Sequence, residues 1–284
     1  MNRFLGELLV ASVLFGVSAF LGKRATITLD GAQVAFLRFA IGLCFVLLQS
    51  AVRRAPLRPK RWDLLLIRGF FGGLAGLLYF VSLAELPVGA ATLLNCTSPV
   101  FTALFAVLVL REKLPFTRAV ALLTAGAGVV LVFYGQGMAL GGAYGWQALA
   151  LLSGVVAGAA VTAIRAARKT DGPWEVFGFF NLVGVATTAP FALAAWTWPS
   201  PEAWGYVFAL GGLFVCSQLL LTHALGHVEA ATAATVTQLT VVTSFAMGYF
   251  LDGDPVTWLS LLGGVFTVAG VAWVARLNAT VPRP

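Results

Sequence analysis

Charge is what this sequence has least of. Asp, Glu, Lys and Arg make up 10% of its 284 residues against 60% hydrophobic, and the mean hydropathy is +0.92. A soluble domain carries about 25% charged residues, so this composition cannot cover a water-exposed surface. Cysteine is scarce too. Cys44, Cys96 and Cys216 are odd in number and each lies inside an apolar stretch, so they read as small core residues and not as a disulfide framework or metal cluster. The two histidines, His223 and His227, form no metal-ligand cluster, and no metal or cofactor is expected. Aspartate clusters that would hold Mg²⁺ are missing, and Gly16-Val17-Ser18-Ala19-Phe20 fails the G-x-S-x-G nucleophile pattern. An intramembrane enzyme is therefore disfavoured. The basic residues are not interleaved with aromatics, which argues against nucleic acid as a partner. Period-two alternation is absent, which excludes a β-barrel.

What is present is a series of long apolar runs. A membrane-crossing helix needs about 20 mostly apolar residues, and punctuation by charge, Pro and Gly places spans near 4–22, 31–50, 64–83, 88–110, 116–136, 145–164, 174–195, 204–223, 229–251 and 257–275. The expected fold is an all-α integral membrane protein of ten transmembrane helices. Lys and Arg collect on the cytoplasmic side of membrane proteins. With the N-terminus inside, fourteen loop and tail cations fall inside and only Lys23 and Arg24 outside, so both termini are expected in the cytoplasm. The net charge of +7 is thus a topology signal. All eight tryptophans sit at predicted span ends, as an interfacial belt requires.

The chain also repeats itself. At an offset of 140, ten positions between 84 and 117 are identical, among them Thr92 with Thr232, Thr97 with Thr237 and Pro115 with Pro255. Each half holds five spans, an odd number, so the second half enters the membrane inverted. The units expected are a first five-helix repeat at 1–136, a linker at 137–144 and a second repeat at 145–284. Inverted repeats around a midplane site are an architecture of secondary transporters.

Arg38-Phe39, Tyr79-Phe80 through Ala84 to Gly89-Ala90-Ala91, Pro99, and Arg111-Glu112-Lys113-Leu114 followed by Gly126 and Gly128 form an ordered set. With it the whole chain resembles the drug/metabolite transporter superfamily, in particular its ten-helix EamA type. Asp252 stands where the family usually has a glutamate. The resemblance implies a multi-pass protein of the bacterial inner membrane that exports small metabolites, with amino acids, aromatic ones included, as the nearest substrate class. The expected partners are that solute and the lipid bilayer; a monomer and a homodimer stay equally open.

Polar groups inside spans are costly and therefore informative. Tyr79, Asn95, Gln218 and Gln238 lie on spans three, four, eight and nine, which the repeat relates in pairs, and together with Phe15 and Phe180 they are the candidate substrate-binding residues. Asn181 is a further buried amide. Pro99 lacks the N–H that would reach the carbonyl of Asn95 and predicts a kink; Pro190 does the same for Ala186. Arg38 reads as a packing or cavity residue, and Arg68 as one that snorkels to the cytoplasm. Gly72 with Gly76, and Gly154 with Gly158, have the spacing that lets helices approach closely. Glu7 and His223, near the cytoplasmic face, are the candidates for coupling to protons. The leading expectation is a carrier of neutral or zwitterionic solutes. Other small drug-like or neutral solutes are the alternative, while a nucleotide-sugar or phosphate translocator is disfavoured because the spans offer so few cations.

Overall fold

A computed structural model describes residues 3–54, 57–111, 115–137, 144–228, 232–233, 236–254 and 257–279, all helix or short connection. The sequence-predicted features at Glu112, Lys113, Leu114, Glu229 and Pro255, and most of the 137–144 linker, lie outside these residues. Helix α1 is Arg3–Ala25, α2 Gly31–Arg53, α3 Trp62–Glu85, α4 Val88–Asn95, α5 Ser98–Leu110 and α6 Phe116–Gly137. The second half supplies α7 Tyr144–Ala167, α8 Pro173–Ala194, α9 Pro201–Ala224, α10 Leu239–Met247 and α11 Trp258–Ala279. Starts follow local chemistry. Asp30 caps α2 by accepting from the Ala32 N–H at 2.8 Å, and Ser200 caps α9 ahead of Pro201.

Two spans are broken, and they are the repeat-related ones. The fourth divides into α4 and α5 at a turn over Cys96 and Thr97, where the Thr97 N–H reaches back three residues to the Leu94 carbonyl at 3.2 Å. The ninth breaks at Thr237 and Gln238, where Thr240 and Val241 also make three-residue bonds, before α10 runs into a π-helical turn at Gly248–Asp252. Leu239 stands in the second break where Pro99 stands in the first, so proline is not what both breaks share. What they share is a neighbouring helix offering small or hydroxylic residues. Thr240 Oγ1 donates to the Ser12 carbonyl of α1 at 3.1 Å, and Asn95 Nδ2 donates to Ser153 Oγ of α7 at 2.9 Å.

The halves interlock as an inverted repeat demands. Helix α1 packs on α9 and α10, while its counterpart α7 packs on α3, α4 and α5; α2 lies against α8, and α6 against α11. Among the described residues six helices are individually long and apolar enough to cross a membrane. Large apolar side chains such as Leu48, Val52, Leu108 and Phe250 are exposed on the outside, the surface a hydrocarbon solvent wets. Cys44 and Cys216 belong to that exposed surface. This corrects their reading as core residues: a thiol is apolar enough to face lipid, which sequence cannot tell from burial.

Candidate functional site

A cavity of about 190 Å³ lies between the halves, against both helix breaks. The first half contributes Phe15, Arg38, Arg68, Tyr79 and Asn95, the second Phe180, Phe214, Gln218, Thr237 and Thr240. Its size suits a small solute, below the roughly 300 Å³ at which drug-sized pockets begin. Among the described residues no carboxylate lines it.

Its strongest electrostatic feature is a pair of guanidiniums. Arg38 and Arg68 are 3% and 4% exposed, and a cation at the centre of a membrane helix costs about 3 kcal/mol on insertion scales. Aromatic rings offset part of that cost. The Arg38 head lies 4.0 Å from the Phe39 ring centre and 3.9 Å from that of Phe214, and the Arg68 head is 3.7 Å from that of Phe180. Arg68 Nη2 also donates to Gln218 Oε1 at 3.2 Å. Arg68 therefore does not snorkel. Gly72, one turn further along α3, leaves open the volume its Nη1 occupies, and Phe180 and Gln218 hold the head inward. Gly76 does the same for Arg38, since a Cβ there would come within 2.6 Å of Nη2. The Gly72 and Gly76 pair thus makes room for side chains; the close approach to α8 is made by Gly73, whose Cβ would meet the Gly184 Cα at 3.0 Å. Gly154 and Gly158 do act at a helix contact. Cβ atoms there would stand 2.7 Å from the Leu94 carbonyl oxygen and 2.9 Å from the Thr102 nitrogen, so α7 lies directly on the first break.

Of the residues singled out in the sequence, Phe15, Arg38, Gly72, Gly76, Tyr79, Asn95, Phe180 and Gln218 are brought together on this cavity. The Tyr79 hydroxyl shares a 2.8 Å hydrogen bond with Thr92 Oγ1. Gln238 sits behind the wall: Thr237 and Thr240 line the cavity, while Gln238 is 1% exposed and neither of its amide atoms has a hydrogen-bond partner. Asn181 is elsewhere, buried against Gly42 and donating to the Phe177 carbonyl. Arg68, Phe214, Thr237 and Thr240 are wall residues that sequence reasoning missed; Gly72 four residues after Arg68 was the available signal.

Glu7 and His223 are not on the cavity. They pair with each other at 2.7 Å, joining the start of α1 to the end of α9, where Glu7 also takes the Arg3 guanidinium and Phe4 stacks on His227 with ring centres 4.2 Å apart. Burial, and then the neighbouring His223 and Arg168, lower the His227 pKa below its ordinary 6.5. The helix ends carry a repeat-related pair of clasps. Lys23 at the end of α1 donates to the Leu83 and Ala84 carbonyls at 3.0 Å, and Arg165 at the end of α7 donates to the Leu225 carbonyl at 2.9 Å. Beside Lys23, Arg24 pairs with Asp252. Beside Arg165, Arg168 donates to the Thr222 carbonyl, and the buried Asp171 accepts from the Lys60 and Arg61 N–H groups. The inverted halves thus fasten opposite faces by the same device.

Comparison with known proteins places this geometry. The EamA-like transporter family matches residues 5–134 and, a second time, 145–276. The pseudopaline exporter of Pseudomonas aeruginosa is 28% identical over 94% of each chain. The S-adenosylmethionine uptake transporter of Rickettsia prowazekii is 26% identical over 88% of this chain and 83% of its own, and the riboflavin transporter of Vibrio cholerae 22% identical over 97% and 94%. A solved crystal structure superposes with a TM-score of 0.75 at 20% identity, covering 98% of both chains, which shows the fold.

Proposed function

The chain belongs to the EamA-like transporter family, and from that premise we propose that it exports amino acids, aromatic ones included, or closely related metabolites across a bacterial inner membrane. The observation that carries this reading is the shared cavity, whose wall pairs guanidiniums and amides with the Phe15, Phe180 and Phe214 rings. A solute carboxylate would take the guanidinium edges in the charge-assisted way, and an apolar side chain would lie on the rings. Both halves supply wall residues, so rocking of 1–136 against 145–284 about the cavity exposes it to one face and then the other. The Lys23 and Arg165 clasps are the natural gates. Both termini and the Arg53 to Arg61 loop face the cytoplasm in this reading, on the charge segregation of the loops.

Counterflow of labelled phenylalanine, tryptophan and leucine in proteoliposomes tests the proposal. Trans-accelerated uptake dependent on this protein is the expected result. A folded protein that moves no member of an amino-acid and metabolite panel would end it.

A further inference from the structure

The charge of the cavity goes beyond the family of solutes. Arg38 and Arg68 both line it, their heads 5.8 and 3.7 Å from the one Phe180 ring centre, so they act on the same occupant. Each guanidinium presents five N–H donors. Among the described residues a single one of these donors meets a protein acceptor, Arg68 Nη2 on Gln218 Oε1. Both Nε atoms are buried and unpartnered, and among the described residues no carboxylate lines the cavity. The rings of Phe39, Phe180 and Phe214 cover guanidinium faces, which leaves the in-plane N–H edges for an occupant. A ring can cover a cation; it cannot accept in-plane N–H bonds or cancel the charge. A net-neutral amino acid would leave two positive charges with one carboxylate between them. Its ammonium would meet only neutral acceptors such as Asn95, Tyr79 and Thr92.

We infer that the cavity selects solutes of net negative charge carrying a carboxylate beyond that of an ordinary amino acid, with one carboxylate for each of Arg38 and Arg68. This rests on the transport reading above and narrows it. The space cleared by Gly72 and Gly76 is what lets both heads turn inward, so the specificity is written in two glycines as much as in two arginines.

Glutamate and glutamine are nearly isosteric and differ by one charge, so their counterflow in proteoliposomes of the wild-type protein isolates the effect. The expected result is glutamate exchange at least ten times faster than glutamine exchange. Hydrogen bonds to charged groups are worth about ten- to a hundredfold in binding, so Arg38→Gln or Arg68→Gln should lower glutamate exchange by that factor and bring the ratio toward one. Arg→Lys at either place should restore part of the preference, a rescue that a purely structural arginine would not show. The wild-type comparison stands even where a variant fails to fold. Glutamine or phenylalanine exchanged as fast as glutamate would overturn the inference and leave the transport reading intact. Preference for inorganic phosphate over every carboxylate would overturn it in favour of a phosphate site. No exchange of any solute by folded protein would overturn both.

Discussion

The contact of α7 with the first helix break can be tested by adding one methyl group. A Cβ on Gly154 would lie 2.5 Å from Thr97 Oγ1, 2.7 Å from the Leu94 carbonyl oxygen and 2.9 Å from that of Asn95. Two of these are backbone atoms that cannot rotate away, so Gly154→Ala must push α7 off the break and stretch the 2.9 Å bond from Asn95 to Ser153. Overpacking of this kind costs about 1–3 kcal/mol. Gly212 on α9 is the control, because a Cβ there meets nothing within 4 Å. Alanine should be favourable at that position by up to about 1 kcal/mol through helix propensity. Gly154 lies inside α7 and gains the same propensity, so the variants should differ by the overpacking cost, about 1–3 kcal/mol. At roughly 2–4 °C per kcal/mol for large chains, thermal unfolding in detergent should separate them by at least about 2 °C, with Gly154→Ala the less stable. Coincident midpoints, or a more stable Gly154→Ala, would refute the packing of α7 on the break.

Three further expectations follow from the same geometry. Lys23→Met and Arg165→Met should open opposite faces, so in protein lacking Cys44 and Cys216 a membrane-impermeant thiol reagent should reach the cavity residue Cys96 faster from one side in the first variant and from the other side in the second; acceleration from the same side in both would remove the clasps as gates. Asn95→Leu should lower flux by the roughly 1–3 kcal/mol of a lost hydrogen bond in a dry site while preserving folding, and wild-type flux would take this residue out of the site. Burial, and then Asp252, raise the pKa of Asp254 above 3.8, so folding takes up protons there and stability falls as pH rises from the unfolded value through the folded one. Asp254→Asn should therefore unfold at a higher temperature than wild type at pH 7, with the advantage gone below pH 3.8, and a less stable variant at pH 7 would contradict this.

The spans and their alternation were legible because apolar length and loop charge are one-dimensional signals. The contacts Arg24 to Asp252, Lys60 and Arg61 to Asp171, and Glu7 to His223 each join ends that the span count puts on one side. Tyr79, Asn95 and Gln218 were legible as polar interruptions of spans related by the repeat, and Phe15 and Phe180 as aromatics able to accept an apolar side chain. Direction around a helix was not. Gly69 and Gly73 lie one residue out of step with the small pair at 72 and 76, and spacing alone does not say which pair meets a neighbour and which faces a void. The same ambiguity hid Arg68. Its position near a helix end fits snorkelling as well as inward rotation, and the choice is made by Phe180 and Gln218, which are more than a hundred residues away in sequence.

Charge placement also constrains how a carrier of this shape can be driven. Glu7 is bound to Arg3 and His223 away from the cavity, and among the described residues the cavity wall carries no acid. A proton arriving at Glu7 would change that ion pair before it changed anything on the cavity wall. On the reading proposed above, Arg38 and Arg68 act on the solute itself. A carrier returning empty must bring two uncompensated cations through its occluded state, where the low dielectric makes their mutual repulsion largest. One returning with an anion brings them paired. The difference belongs to the return step, so on this reading the unloaded transition should be slowed while the loaded one is not, and solute-for-solute exchange should outrun net flux. A uniporter with a neutral site would have no such asymmetry. If the cavity selects anions as inferred, the two guanidiniums link what it selects to how the cycle runs: the charge that favours an anion would also make the carrier wait for one.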